Sequence, residues 1–379
     1  MKVVIAIDSF KGSISSIEAG NAAKEGVKRV FKDAQVEVFP IADGGEGTVD
    51  ALTCGLGGEI RYARVINSVG EKRDAKYGVV GNTAIIEAAE AVGIALLNKG
   101  QLNPLYTTSY GIGQMINDAI DKGCRNFIIG LGGSATNDGG VGMLQALGYA
   151  FRDGNLMDVP FGAIGLKNLA YINNTKANDN EVLKKCTFHV ACDVPNPLCG
   201  ENGCTNVFAR QKGAIEEDIE PMDSWLRHYA LLTNALFEDS NDEIPGSGAA
   251  GGLGFAFASY LNAELKSGID LVLEQIKLDE ALRDADIVIT GEGRIDAQTV
   301  MGKAPIGVAQ LAKKYAKPVI AFCGATGKDL KACNDCGIDG IFPIVRGACS
   351  LEDAMNNENA KNNMTSAVEQ VMRIIKARI

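Results

Sequence analysis

The tightest constraint on this chain is a unit that recurs at both of its ends: a short apolar strand, a glycine-rich loop carrying carboxylates, then a helix. Val3 to Asp8 reads as a buried strand rich in β-branched residues, and Phe10-Lys11-Gly12-Ser13 turns the chain. Ser15 with Glu18 three residues on forms a capping box, so a helix starts there. A second strand, Val36 to Pro40, runs into Asp43-Gly44-Gly45-Glu46-Gly47-Thr48. Late in the chain, the strand Asp286 to Thr290 runs into Gly291-Glu292-Gly293-Arg294-Ile295-Asp296, and a helix from about Ala304 to Tyr315 follows. Pro305 falls in its first turn, where proline is tolerated. Pro318 to Phe322, with the loop Gly324 to Gly327, and Ile341 to Val345 are further strands. Ala367 to Ile375 belongs to a closing amphipathic helix. Such alternation predicts a parallel, doubly wound α/β sheet, whose ligands bind beyond the carboxyl ends of the strands. Asp8, Asp43, Glu46, Glu292 and Asp296 all fall there.

The middle of the chain is less regular. Ala75 to Ala88 reads as paired strands around Asn82, and Thr107 to Lys122 as a helix with Ile112, Met115, Ile116 and Ile120 on one face. Thr187 to Val194 is a strand, residues 150 to 185 read as loops and short elements, and a helix lies near Ser224 to Phe237. The simplest organisation is one domain from residues 1–62 and 284–379, with a second α/β domain, 63–283, inserted.

Composition excludes several functions. A net charge of −10 without a basic patch argues against a nucleic-acid binder. The N-terminal apolar run Val3 to Ile7 is too short for an export signal or a membrane span, so the ten cysteines read as reduced cytoplasmic thiols. Cys333 and Cys336 have no second pair at metal-ligand spacing. Only His189 and His228 are present, too few for a three-histidine metal site.

The richest motif is Gly130-Leu131-Gly132-Gly133-Ser134-Ala135-Thr136-Asn137-Asp138-Gly139-Gly140, after the strand Phe127 to Ile129 and before a helix through Met143 and Leu147. Glycines there let backbone N–H groups converge on an anion. Ser134 and Thr136 add hydroxyls, and Asp138 suits a metal. The loop also fits a dinucleotide fingerprint, as does Gly246 to Gly251, but the second has no strand before it. No Walker A sequence is present. Carboxylates at three strand ends (Asp43 with Glu46, Asp193, Glu292 with Asp296) suit Mg²⁺, which takes one or two carboxylates plus phosphate and water. Lys11, Arg210, Lys212, Arg294 and Lys303 lie beside them. Carboxylates, glycine loops and lysines together are what phosphoryl transfer needs.

Seven ordered motifs then carry a resemblance over essentially the whole length. They are Asp8 to Ser13, Ala42 to Thr48, Gly130 to Gly140, Cys192-Asp193-Val194 with Asn196-Pro197-Leu198, Gln211 to Ala214, Gly248 to Gly254, and Thr290 to Asp296 with Gln298-Thr299 and Gly302-Lys303. The chain resembles the type I bacterial glycerate kinases. The resemblance implies a flavodoxin-like domain with an inserted mixed α/β domain. It also implies transfer of the ATP γ-phosphoryl group to D-glycerate with Mg²⁺, mainly at the 2-hydroxyl. Ile7, Arg210 and Ser247 depart from the family pattern, and Arg210 adds a charge near the expected site.

On this reading Asp193 is the first choice of base and Asp296 the second, while Lys11 and Lys212 neutralise the transferred group. Gly132, Gly133, Ser134 and Thr136 hold nucleotide phosphate. Arg294 and Lys303 clamp the glycerate carboxylate, with Asp8 and Ser9 also on the substrate. Asp43, Glu46, Asp138 and Glu292 are the metal candidates. Three alternatives stay open: a kinase for another small hydroxy acid or polyol, an NAD-dependent oxidoreductase, and a ligand-binding module without turnover.

Overall fold

A computed structural model describes residues 1–377. Its strands are β1 (Lys2–Ile7), β2 (Gln35–Val38), β3 (Glu59–Ile66), β4 (Lys72–Val80), β5 (Thr83–Glu87), β6 (Asn126–Gly130), β7 (Ala150–Asp153), β8 (Leu169–Asn173), β9 (Thr187–Ala191), β10 (Glu264–Lys266), β11 (Ile287–Ile295), β12 (Val319–Thr326) and β13 (Gly340–Pro343). The chain divides into two compact units. One comprises Met1–Asp43, Asp50–Gly57 and the chain from Ile269 onward; the other comprises Gly44–Val49 and Gly58–Gly268.

The first unit holds a five-stranded sheet in the order β13-β12-β11-β1-β2, every pair parallel. Val3, Val4, Ile5 and Ala6 are fully buried, as expected of a central strand covered on both faces. Val3, Ile5 and Ile7 pack with the helices Ser16–Val30 and Asn357–Lys376. Those helices approach so closely that a Cβ at Gly26 would stand 2.5 Å from the Thr365 carbonyl. The Thr365 hydroxyl donates to the Ala22 carbonyl at 3.0 Å. The capping box of Ser15 and Glu18 is present as the sequence predicts. From β1 the sheet grows one way to β2 and the other way to β11, β12 and β13. This is the flavodoxin-like order, and its crevice opens at the carboxyl ends of β1 and β11.

One local expectation differs. Gly291 to Asp296 and Gly324 to Gly327 read as loops, yet β11 continues to Ile295 and β12 to Thr326. The ladder persists through Glu292↔Cys323, Arg294↔Ala325 and Ile295↔Thr326. A Cβ at Gly291 would lie 2.1 Å from the Phe322 carbonyl, so glycine serves close strand approach here rather than a turn.

The second unit holds a six-stranded sheet, β10-β9-β6-β5-β4-β3, parallel from β10 to β5 and antiparallel from β5 to β3. The pairing around Asn82 is β4 with β5. The helix Tyr110–Asp121 buries Ile112, Met115, Ile116 and Ile120. Phe127 and Phe188 stack at 4.8 Å between ring centroids, from adjacent strands of the sheet. Strands β7 and β8 pair on their own. The fold class is therefore the doubly wound parallel sheet with an inserted mixed α/β unit.

Candidate active site

In the first unit a cavity of about 860 Å³ lies at the ends of β1 and β11. Asp8, Ser9 and Lys11 reach it from the chain leaving β1, Asp43 from beyond β2, Glu292 and Arg294 from β11, and Lys303 from the cap of the helix Ala304–Lys313. Register explains the meeting: Ile7 pairs with Gly291, so residues from opposite ends of the chain become neighbours.

Asp8 is 4% exposed. Burial pushes its carboxyl up to about 7, and the Asp43 carboxylate adds to the rise; the Ser9 N–H, donating at 2.6 Å, and Lys11 oppose it. Glu292 is raised by burial and opposed by the Thr299 hydroxyl, which donates at 2.7 Å, and by Lys303, whose Nζ lies 3.8 Å from Oε2. Asp296 is lowered by the Gln298 N–H, donating at 3.0 Å, and by Arg294, whose Nε donates at 3.0 Å. The site thus sets raised acids beside one held ionised, a pattern that suits proton transfer and cation binding.

The second unit carries the glycine loop. Gly132 and Gly133 lie exposed beyond β6, and the loop is tied back by the Ile94 N–H to the Gly133 carbonyl at 2.8 Å and the Ala135 N–H to the Val92 carbonyl at 2.8 Å. Asp138 braces it from within. Its carboxylate is buried and accepts from the Ser109 N–H (2.8 Å), the Ser109 hydroxyl (2.9 Å) and the N–H groups of Gly140 (3.2 Å) and Gly142 (3.3 Å). Gly139 and Gly140 both adopt positive φ, and a Cβ at Gly140 would stand 2.5 Å from the Ala256 Cβ.

Lys212 is the buried cation of this loop, 3% exposed. Its Nζ donates to the Thr136 carbonyl at 2.6 Å and to the Ser134 hydroxyl at 3.3 Å. Burial pushes its ammonium down to about 8. The buried Thr136 hydroxyl and the Asn137 side-chain oxygen have no hydrogen-bond partner in the protein. The Lys212 ammonium and the Thr136 hydroxyl, both able to donate, suit an anion, whereas the Asn137 oxygen, an acceptor, suits a donor.

Sequence-selected residues therefore gather in two sets. The first-unit cavity collects Asp8, Ser9, Lys11, Asp43, Glu292, Arg294 and Lys303, with Asp296 tied to Arg294. The loop of the second unit collects Gly132, Gly133, Ser134, Thr136, Asp138 and Lys212. Asp193, exposed after β9, accepts the Gly268 N–H at 2.8 Å, and Glu46 is exposed in a turn. Arg210 makes a two-pronged pair with Glu216 at 3.0 and 2.8 Å, which engages the charge that departs from the family pattern.

Sequence reasoning missed Ser109, which binds Asp138, and the apolar cavity wall from Pro343 to Met355. The run Thr107-Thr108-Ser109 could have signalled the first; nothing local marks the second. At the second dinucleotide-like stretch, Ala250, Gly251 and Gly252 take left-handed conformations in succession, unlike a strand-to-helix fingerprint. Among the described residues, no three His, Cys, Asp or Glu side chains gather as a metal cluster, and no helix is long and apolar enough to cross a membrane.

Comparison with known proteins gives the family. The model of the glycerate kinase family matches residues 3–376. A "Glycerate 2-kinase" of Escherichia coli K12 is 46% identical over 357 residues, covering 93% of each chain. A "Glycerate kinase" of Bacillus subtilis 168 is 44% identical over 378 residues, covering 99% of this chain and 98% of that one. A crystal structure from Salmonella typhimurium LT2, solved as a candidate glycerate kinase 2, superposes with a TM-score of 0.90 at 43% identity, covering 100% and 98% of the two chains. Acids, cations and a braced glycine loop on this fold, with likeness over the whole chain, make it an enzyme of the glycerate kinase family.

Proposed function

We propose that this protein transfers the γ-phosphoryl group of ATP to the 2-hydroxyl of D-glycerate. The observation that carries the reading is the cavity in which Lys11, Arg294 and Lys303 stand with Asp8, Asp43 and Glu292. An anionic acceptor needs the cations, and a phosphoryl group in flight needs them again. Arg294 and Lys303 hold the glycerate carboxylate, Asp8 and Ser9 orient its hydroxyls, and Lys11 balances charge on the transferred group. Gly132, Gly133, Ser134 and Thr136, with Lys212 behind them, hold phosphate oxygens. Asp193 takes the proton of the attacking hydroxyl, with Asp296 as the alternative.

Mg²⁺ fits the donors present. Asp43 raises both Asp8 and Glu292 by repulsion, and a divalent cation would relieve that repulsion. Asp43 and Glu292 would hold it through oxygen atoms, and it would supply neutralisation of phosphate charge. Asp138, engaged by four donors of its own loop, is left to its bracing role. A cytoplasmic setting, where ATP and reducing conditions occur together, suits the ten free cysteines.

The test is a phosphorus NMR spectrum of the product formed from ATP and D-glycerate. 2-Phosphoglycerate is expected. The 3-phosphate would overturn the regiochemistry. A faster rate with another hydroxy acid or a polyol would overturn the acceptor.

A further inference from the structure

The first-unit cavity is larger and more apolar than glycerate requires. Its volume of about 860 Å³ falls within the roughly 300–1,000 Å³ typical of sites for drug-sized ligands. Glycerate is a three-carbon acid with oxygen on every carbon, so it has almost no apolar surface to bury. Yet one stretch of the wall is built from Phe10, Ile344, Val345, Ala348, Leu351 and Met355. Leu351 is 76% exposed and Met355 37%, and both border the cavity. Apolar side chains left open at a cavity mouth mark a surface that a ligand covers. The polar side chain nearest in sequence is already engaged: the Ser350 hydroxyl donates to the Asp353 carboxylate at 2.6 Å and accepts the Asp353 N–H at 3.0 Å. This stretch therefore offers apolar contact rather than a hydrogen-bonding clamp.

We infer that the wall formed by Phe10 and the segment from Ile344 to Met355 is the nucleoside subsite, packing the base and ribose of the nucleotide while the phosphates extend toward Lys11 and leave Arg294 and Lys303 to the glycerate carboxylate. A purine has two apolar faces and gains from such a wall by burial and dispersion. Its phosphates need a cation, and Lys11 lines the same cavity. The place is also where open parallel sheets take nucleotides, beyond the strand ends at the switch between β1 and β11. The inference rests on the kinase reading and adds where the nucleoside binds.

Cys349 provides the test, because it is exposed and lines this wall, whereas Cys54 is exposed and does not line the cavity. Alkylation of the full chain with iodoacetamide is followed residue by residue by mass spectrometry, alone and with ADP, AMP or D-glycerate. ADP and AMP are expected to slow Cys349 at least tenfold and to leave Cys54 unchanged, while glycerate alone leaves both unchanged. An unaltered Cys349 rate at an ADP concentration that inhibits turnover overturns the subsite and leaves the kinase reading standing. Protection of Cys349 by glycerate alone also overturns it. Absence of any ATP- and glycerate-dependent turnover sinks the kinase reading first, and the subsite with it. As a second readout, Ala354→Trp narrows the cavity. It is expected to raise KM for ATP at least tenfold and to hold KM for glycerate within twofold. A variant that melts like the wild type and changes neither constant, or both equally, contradicts the inference.

Discussion

Lys212→Met separates a functional lysine from a structural one. The Lys212 ammonium is buried and pushed from 10.5 to about 8, so its charged form costs the fold about 3 kcal/mol at neutral pH relative to a neutral amine. The sign follows from proton counting. Between about pH 8 and 10.5 the unfolded chain still binds this proton and the folded chain has released it, so the contribution of Lys212 to stability rises with pH across that window. Methionine removes the charge and keeps the length. It also removes the contacts to the Thr136 carbonyl and the Ser134 hydroxyl, at about 1 kcal/mol each for a neutral amine. The two effects nearly cancel, leaving a variant within about 1 kcal/mol of the wild type at pH 7. On the proposed role of Lys212 in neutralising transferred charge, its loss should lower kcat at least a hundredfold, about 2.7 kcal/mol. The assays are urea unfolding from pH 7 to 10.5 and steady-state kinetics at saturating substrates. The stability difference between the two should shift toward the wild type by up to about 3 kcal/mol as pH rises from 8 to 10.5, since the buried cysteines and tyrosines raised in both proteins cancel in the difference. A variant that loses 3 kcal/mol or more at pH 7 yet keeps its kcat would refute the reasoning and make Lys212 a strut of its loop.

Two further outcomes are expected. Asp8 ionises near 3.8 when unfolded and at about 7 when folded, so it destabilises the fold progressively from about pH 4 to 7, by about 4 kcal/mol in full. Asp8→Asn keeps an acceptor for the Ser9 N–H, so its advantage in urea midpoint should grow between pH 5 and 8 while activity falls; a pH-independent difference would show that the charge is not the cause. Asp193→Asn also keeps an acceptor for the Gly268 N–H, so the melting temperature should hold while kcat drops roughly 10²–10⁴-fold; a loss under tenfold in a folded variant passes the base role to Asp296.

By itself the sequence determined what depends on near neighbours along the chain. The strand of Val3 to Ile7, the Ser15 and Glu18 cap, the face of Ile112, Met115, Ile116 and Ile120, and the glycine loop from Gly130 were legible because periodicity and capping act over a few residues. The identity of the chemistry was legible too, since ordered motifs of acids, cations and glycines carry the family. What only the tertiary structure decided depends on strand order and burial. Ile7 lies beside Gly291 because β1 pairs with β11, and that register brings Asp8 to the same cavity as Glu292. Strand β11 runs on through Glu292 because β12 continues to pair with it, which glycine content alone could not announce. Asp138 became a brace and Lys212 a weakened base because the surrounding fold removes water from them, and desolvation has no local signature. The apolar wall from Ile344 to Met355 stayed invisible for the same reason: apolar residues after a strand read as core until the fold leaves them open.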